Sequence, residues 1–381
     1  MTLKLFAAAL LLISGPSFLR ADDAGFRALF NGTDLDGWVR VNTAPSTWTV
    51  RDGMLICSGK PIGELRTTRM YQNFIMEVEW RHMKPRGNAG IFVWADDITA
   101  RGVPFHRSIE VQVLENAYGN TRSYTTHGDI FPIHGATMTP INGRGGSRAF
   151  PTEKRSNPSP QWNHYRIECR DGDISLAVNG KVVTRGKACS PRKGYICLES
   201  EGGVVHYRNL KVKELPDTPV DPEHVAIENR GYRSIYSGID LSGWSTADSA
   251  NWKTNDWVLS YVGAAGDSTS SLSTKTEFGD FGFVVDFRLK KQSGEATLQL
   301  RSSHSDAIAL NQAGEFDAAQ FNPLGWNRLE GTVIGRHLKV SLNGVPVIDR
   351  EYRAAAHSRQ ITLLPRGPID FANIYVREIS K

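Results

Sequence analysis

Two short stretches set acidic and amide side chains at the alternate spacing of a strand. They are Glu77 and Glu79 in Phe74-Ile-Met-Glu-Val-Glu-Trp80, and Glu110 and Gln112 in Ser108-Ile-Glu-Val-Gln-Val113. Residues two apart on a strand share a face at about 7 Å. Phe74, Met76, Val78 and Trp80 therefore oppose Glu77, Glu79 and Arg81, while Ile109, Val111 and Val113 oppose Glu110 and Gln112. Neighbouring carboxylates raise one another's pKa and so provide an acid or a base near neutrality. A solvated outer sheet has the same pattern, and the pairs alone do not separate the two readings. A second group lies in Thr126-His-Gly-Asp-Ile-Phe-Pro-Ile-His-Gly135, where His127, Asp129 and His134 are of types that ligate metals or move protons. Trp94 and Tyr118 offer aromatic faces to a sugar ring.

The elements that must position these groups are read from an internal repeat. Leu29-Phe-Asn-Gly-Thr-Asp-Leu-Asp-Gly-Trp38 recurs as Ile235-Tyr-Ser-Gly-Ile-Asp-Leu-Ser-Gly-Trp244, an offset of 206 residues. Trp162-Asn163, Asn179-Gly180 and Asn209 recur as Trp326-Asn327, Asn343-Gly344 and Asn373 at an offset of 164, so the first copy holds about 42 extra residues in its middle. That insertion contains the histidine loop. Alternating strand patterns, Asn-Gly hairpin signals and the absence of a sustained helical period predict an all-β chain of two tandem β-sandwiches. The copies span about 28–213 and 232–380. The linker, 214–231, opens on Leu215-Pro-Asp-Thr-Pro-Val-Asp-Pro222, whose prolines stop both helix and sheet. In the second copy Glu79 aligns with Asp286 and Glu77 with Val284, and the Glu-x-Gln strand has no counterpart. The first copy is thus expected to be the working domain, with the second packing on it or binding glycans.

Composition narrows the function classes. With 45 basic and 40 acidic residues the net charge is +5, which gives no case for nucleic-acid binding. Lys4 followed by the apolar run Leu5–Ile13 and small residues to Ala21 has the layout of a signal peptide, 1–21, too short to span a membrane. The mature protein is expected to be exported and to carry no transmembrane segment. Cys57, Cys169, Cys189 and Cys197 form no C-x-x-C pair, against a zinc ribbon or thioredoxin-type site, and a disulfide involving Cys189 stays open. The sequence leaves the oligomeric state open.

Further motifs sit in order around these: Glu64-Leu-Arg-Thr67, Tyr71-x-x-Phe-x-x-Glu-x-Glu-Trp80, Asn88-Ala-Gly-Ile-Phe92, Glu110-Val-Gln-Val113, Gly194-Tyr-Ile-Cys-Leu-Glu-Ser-Glu-Gly202 and Tyr207-Arg-Asn209. Over about 28–213 the chain resembles the secreted bacterial 3-keto-disaccharide hydrolase family, the 3-keto-glucoside lyase/hydratase domain, and the second copy resembles it only in scaffold motifs. The resemblance implies concanavalin A-like jelly-roll sandwiches with a carbohydrate substrate. It also implies cleavage of 3-keto-glycosides by elimination and hydration. Such chemistry needs a base for the C2 proton, an acid for the leaving oxygen and a stabiliser for the enolate. For acid–base work the candidates are Glu79, Glu110 and His127. For substrate binding they are Arg81, Asn88, Trp94, Gln112, Glu199 and Glu201, although the family often has Gln and His at the last two positions. A divalent metal held by His127, Asp129 or His134 is the alternative stabiliser. A lectin-like module and a conventional retaining glycosidase remain the competing readings; the second needs two carboxylates about 5–5.5 Å apart.

Overall fold

In the computed structural model the described residues are 24–118, 127–228, 230–264, 270–291, 295–301, 307–311, 316, 320–352 and 359–379. The signal-peptide expectation lies outside them. The alternating strand Phe74–His82 shows how the first copy is built. Phe74, Met76 and Val78 are fully buried and Trp80 nearly so, while Glu77, Glu79 and Arg81 face outward. This strand is central to a nine-stranded antiparallel sheet, flanked by Asn163–Arg170 on one side and Val205–Glu214 on the other. A second sheet has six strands in the order Trp38–Val41, Gly63–Thr67, Tyr195–Ser200, Gly90–Ala95, Ser108–Gln112 and Ile130–Ile133. Leu65, Ile91, Val93, Ile109, Val111, Ile196 and Leu198 point from it into the common core. The inserted segment supplies the edge strand Ile130–Ile133, and Thr137–Pro140 on the larger sheet.

The second copy repeats the plan with eight strands around Phe281–Leu289 and five around Thr362–Pro365. The protein is all-β, two tandem concanavalin A-like jelly-roll sandwiches, each with its own core. No helix among the described residues is long and apolar enough to cross a membrane.

The repeated residues are repeated hydrogen bonds. The Trp38 indole donates to Leu29 O at 2.9 Å, and that of Trp244 to Ile235 O at 3.0 Å. Asn179 and Asn343 sit in left-handed backbone, φ 47° and 52°, each before a glycine, as a tight hairpin requires. Each locks its neighbouring strand: Asn179 Oδ1 accepts from His164 N at 2.8 Å and Asn343 Oδ1 from Arg328 N at 2.9 Å. Their Nδ2 groups reach Asn163 and Asn327, both at 3.1 Å.

The proline-rich seam is laid along the first copy rather than free. Gln72 donates to Thr218 O at 2.8 Å, and Ala226 N to Lys193 O at 2.7 Å. The copies meet through a small apolar cluster of Val41, Ile98, Tyr232, Val284 and Tyr375. All four cysteines are buried free thiols, so the disulfide considered for Cys189 is not formed. Unfolded without reductant, the protein should react with four equivalents of a thiol reagent, and folded with essentially none. Fewer than four on unfolding would reveal a bridge.

Candidate active site

Strand parity decides which polar groups can meet. On the six-stranded sheet, the face turned away from the core carries Glu64, Glu110, Gln112 and Glu199, and these four are almost completely buried. Glu199 lies directly opposite Glu64 on the adjacent strand, and Glu110 opposite Phe92. Gly90 makes the convergence possible: a Cβ there would lie 2.9 Å from Glu110 Oε1 and 3.0 Å from Glu199 Oε2. The two carboxylates close over a position that only glycine leaves open. Beside them Asn88 donates to Glu201, and Gln112 Nε2 donates to Asn88 Oδ1 at 2.8 Å. Glu110, Gln112, Glu199, Glu201 and Asn88 are thus brought together on one face.

Burial controls the charge state of this group. Desolvation pushes the Glu110 carboxyl well above the usual range, the charge of Glu201 adds to it, and Arg148 opposes. Glu199 is raised in the same way, by burial first and then by Glu110, Glu201 and Glu64. Glu201 is pushed up to about 7 by burial, against the hydrogen bonds from Asn88 and Glu199. Three carboxyls in such proximity share protons and titrate as a unit.

The remaining expectations are corrected by the fold. Glu79 lies on the outer face of the other sheet, where Arg208 Nε donates to it at 2.6 Å and Asn209 Nδ2 at 3.0 Å. Arg81 shares that face and stacks on the Trp162 ring. Alternation along one strand shows which residues share a face but not which sheet the strand joins, so Glu79 and Arg81 are separated from Glu110. Trp94 is fully buried in the core with its indole on Gln72 O, closed to a sugar. His127 is buried, with neither ring nitrogen partnered among the described residues, and desolvation lowers its pKa to about 4, Lys154 adding and Glu115 opposing. Neutral at physiological pH, it is a poor proton donor there. Asp129 is held by Arg148 at 3.1 Å. His134 stacks on Phe105 at 6.2 Å, close enough to Glu64 and His106 to feel their charges. His127, Asp129 and His134 do not form a ligand cluster among the described residues.

One cluster does. Glu64, His106 and Cys197 are fully buried and offer one O, one N and one S atom within 4.8 Å of one another. His106 is hydrogen-bonded through Nδ1 to Glu64, and its Nε2 is buried without a partner. A mixed N/O/S donor set of this kind suits a divalent transition metal. Glu64 was legible in principle from the Glu64-Leu-Arg66 alternation, whereas His106 lies in a loop with no pattern around it.

The all-β sandwiches and the family model that matches them place the chain in a carbohydrate-active, hydrolase-like class. A family model described as the 3-keto-alpha-glucoside-1,2-lyase-like domain matches residues 25–213 and 231–377, and the chain belongs to that family. No curated protein matches the sequence. Among solved structures, a protein described as a candidate glycosyl hydrolase from Parabacteroides distasonis ATCC 8503 is 22% identical (TM-score 0.40), covering 52% of this chain and 99% of its own. The carbohydrate-binding module CBM66 from Bacillus subtilis is 11% identical (TM-score 0.34), covering 47% and 96%. The Bacillus licheniformis β-glucanase is 14% identical (TM-score 0.32), covering 50% and 97%.

The raised carboxyls fix a pH dependence. Glu201 is protonated in the fold up to about pH 7, whereas an unfolded glutamate ionises near 4.5. The folded state therefore holds the extra proton, and its stabilisation, full below 4.5, is lost as pH rises through about 7. Between pH 5 and 8 the melting temperature should fall less in Glu201→Gln than in the parent. Equal falls would show that Glu201 is not perturbed.

Proposed function

We propose that the first copy cleaves 3-keto-glucosides outside the cytoplasm, by elimination across C1–C2 followed by hydration. The observation that carries this reading is the convergence of Glu110 and Glu199 over Gly90, with Glu201 beside them on Asn88 and Glu199, and with the pKa values of all three raised by burial. A ketone at C3 acidifies the C2 hydrogen, so a carboxylate suffices as the base. Glu201, titrating near neutrality, takes that proton; Glu110, kept protonated by its surroundings, gives one to the C1 oxygen as it leaves. Asn88 and Gln112 hold the sugar hydroxyls. The Arg148 guanidinium, already acting on Glu110, opposes the negative charge that develops on the enolate. Water then adds to the enone with the same two carboxyls in exchanged roles. Glu64, His106 and Cys197 would hold a divalent transition metal, and such an ion supplies an electrophile for an enolate oxygen. The export signal read at residues 1–21 supports action outside the cytoplasm.

A retaining glycosidase needs one carboxylate ionised as the nucleophile. The eliminating base must likewise be ionised, so the substrate, keto sugar or unoxidised glycoside, separates the two readings.

Incubation with a 3-keto-glucoside and its unoxidised parent tests the reading. Turnover of the keto sugar alone is expected, with Glu110→Gln lowering it by about 10²-fold, the scale of a lost acid–base group. Glu79→Gln should stay within about twofold, because its face is remote from the cluster. Cleavage of the unoxidised glycoside at a comparable rate would overturn the assignment. The metal site has its own readout. Elemental analysis should find about one equivalent in the parent and little in Cys197→Ser, the thiolate being one of three ligands. Metal-free parent with full activity would remove the ion from the scheme.

A further inference from the structure

His106 reaches Glu64 from a long arm, residues 96–107, that connects the Gly90–Ala95 strand to the Ser108–Gln112 strand. Besides the ring contact, the His106 amide donates to Glu64 Oε1 at 3.1 Å. Phe105 meets Phe92 edge-on at 5.9 Å and so covers the same sheet face. The base of the arm is closed by Arg107 on Asp96, both bonds at 3.0 Å.

Its middle is held from the second copy. Asn373 Nδ2 donates to Ala100 O at 3.1 Å and Val103 O at 3.0 Å. The Gly102 amide donates to Asp286 Oδ2 at 2.8 Å. Arg328, paired with Asp286, donates to Thr99 O at 2.9 Å, and the Tyr375 hydroxyl lies 2.9 Å from Thr99 Oγ1. Gly102 has φ +73°, and a Cβ on it would fall 2.2 Å from the Trp326 ring, so this turn fits the second copy only as glycine. Few of these groups are exposed: Asp286 is fully buried, and Asn373 and Tyr375 are each 1% exposed.

The first copy supplies the comparison. Asn209 and Glu79 occupy the positions of Asn373 and Asp286 and make the same mutual bond, Nδ2 to carboxylate at 3.0 Å against 2.7 Å. There the pair borders an open groove of about 630 Å³ lined by residues including Phe26, Asn31, Glu77 and His164. Among the described residues the same device thus serves its own sheet in one copy, while in the other it grips a loop of its neighbour.

We infer that the second copy is the mount for the His106 arm, with Asn373, Asp286, Arg328 and Tyr375 as positioning residues for the carboxylate site. This gives the second copy, expected from the sequence to pack on the first or bind glycans, a part in positioning the site. The catalytic consequence rests on the function proposed above; the mechanical one does not. A displacement of about 1 Å at a reacting group costs on the order of 10²-fold in rate, so loosening the arm should register in turnover.

The test uses the full chain. Asn373→Gly keeps the left-handed backbone (φ 48°) and removes the side-chain donors together with the Oδ1 that accepts from Asn42 Nδ2 at 2.7 Å; Tyr375→Phe removes one hydroxyl. Asp370→Asn is the control. It sits on the same strand and pairs with Arg288 and Lys290, touching nothing in the arm. Hydrogen exchange over 96–107 should speed up by about tenfold or more in Asn373→Gly/Tyr375→Phe and not in Asp370→Asn. With a 3-keto-glucoside, kcat should fall by about tenfold or more while KM moves by less than about threefold. Unchanged exchange in the folded double variant overturns the mount, whatever the activity. Faster exchange with unchanged kcat on a substrate the parent turns over refutes the positioning role. If the parent turns over no keto sugar, the functional proposal fails and exchange alone judges the mount. Should the double variant not fold, Tyr375→Phe alone is read by the same two measurements.

Discussion

Several carboxyl groups held out of water on one sheet face are the constraint around which this protein is arranged. An isolated buried carboxylate is prohibitively unstable, and the usual relief is a shifted pKa, a partner or both. All these devices are present. Glu110 and Glu199 are pushed toward the protonated form, Asn88, itself held by Gln112, donates to Glu201, Arg148 adds a positive field, and His106 caps Glu64. The six-stranded sheet sets Glu64, Glu110 and Glu199 on one face, and Phe105 of the arm covers part of it. Stability is spent on a polar cluster that a purely structural sheet would fill with apolar side chains.

The duplication shows which parts of the fold are indispensable and which are free to change. The indole-to-carbonyl bond and the Asn-Gly lock persist in both copies because they fix chain direction at hairpins and strand entries. The outer faces have diverged. Where the first copy has Glu64, Glu110 and Glu199, the small sheet of the second carries Ser273, Thr297, Gln299 and Thr362. A hydroxyl and amide surface of this kind has no group that titrates near neutrality.

The scaffold was largely legible because its signals are local. The period-two alternation of Phe74–Trp80 and the two Asn-Gly turns specify strands and hairpins without reference to the rest of the chain. The carboxylate set was half legible. Glu110 and Gln112 share a strand face by parity, and family motifs drew in Asn88, Glu199 and Glu201. What parity cannot encode is sheet membership, and Glu79 was misplaced for that reason. The strand of Glu79 joins the larger sheet through pairing with 163–170 and 205–214, contacts separated by more than 80 residues in sequence. Trp94 was misread because a left-handed backbone, φ 55°, turns its ring into the core. His106 gave no signal at all, since only the return of a long loop onto Glu64 gives it meaning.

The Asn-Gly locks also bear on how the protein ages. In flexible chains this dipeptide closes readily to a succinimide, because the glycine amide can swing onto the asparagine side chain, and the product is aspartate or isoaspartate. Asn179 and Asn343 have both side-chain atoms engaged, Oδ1 by a strand amide and Nδ2 by Arg155 O or Gln320 O, so the amide carbon is held away from that attack. Each lock that guides folding thereby shields its own weakest covalent link. Deamidation would replace the Nδ2 donor by an oxygen facing those same carbonyls, so damage at either turn would loosen a strand pair and mark aged molecules by local opening rather than by loss of the core.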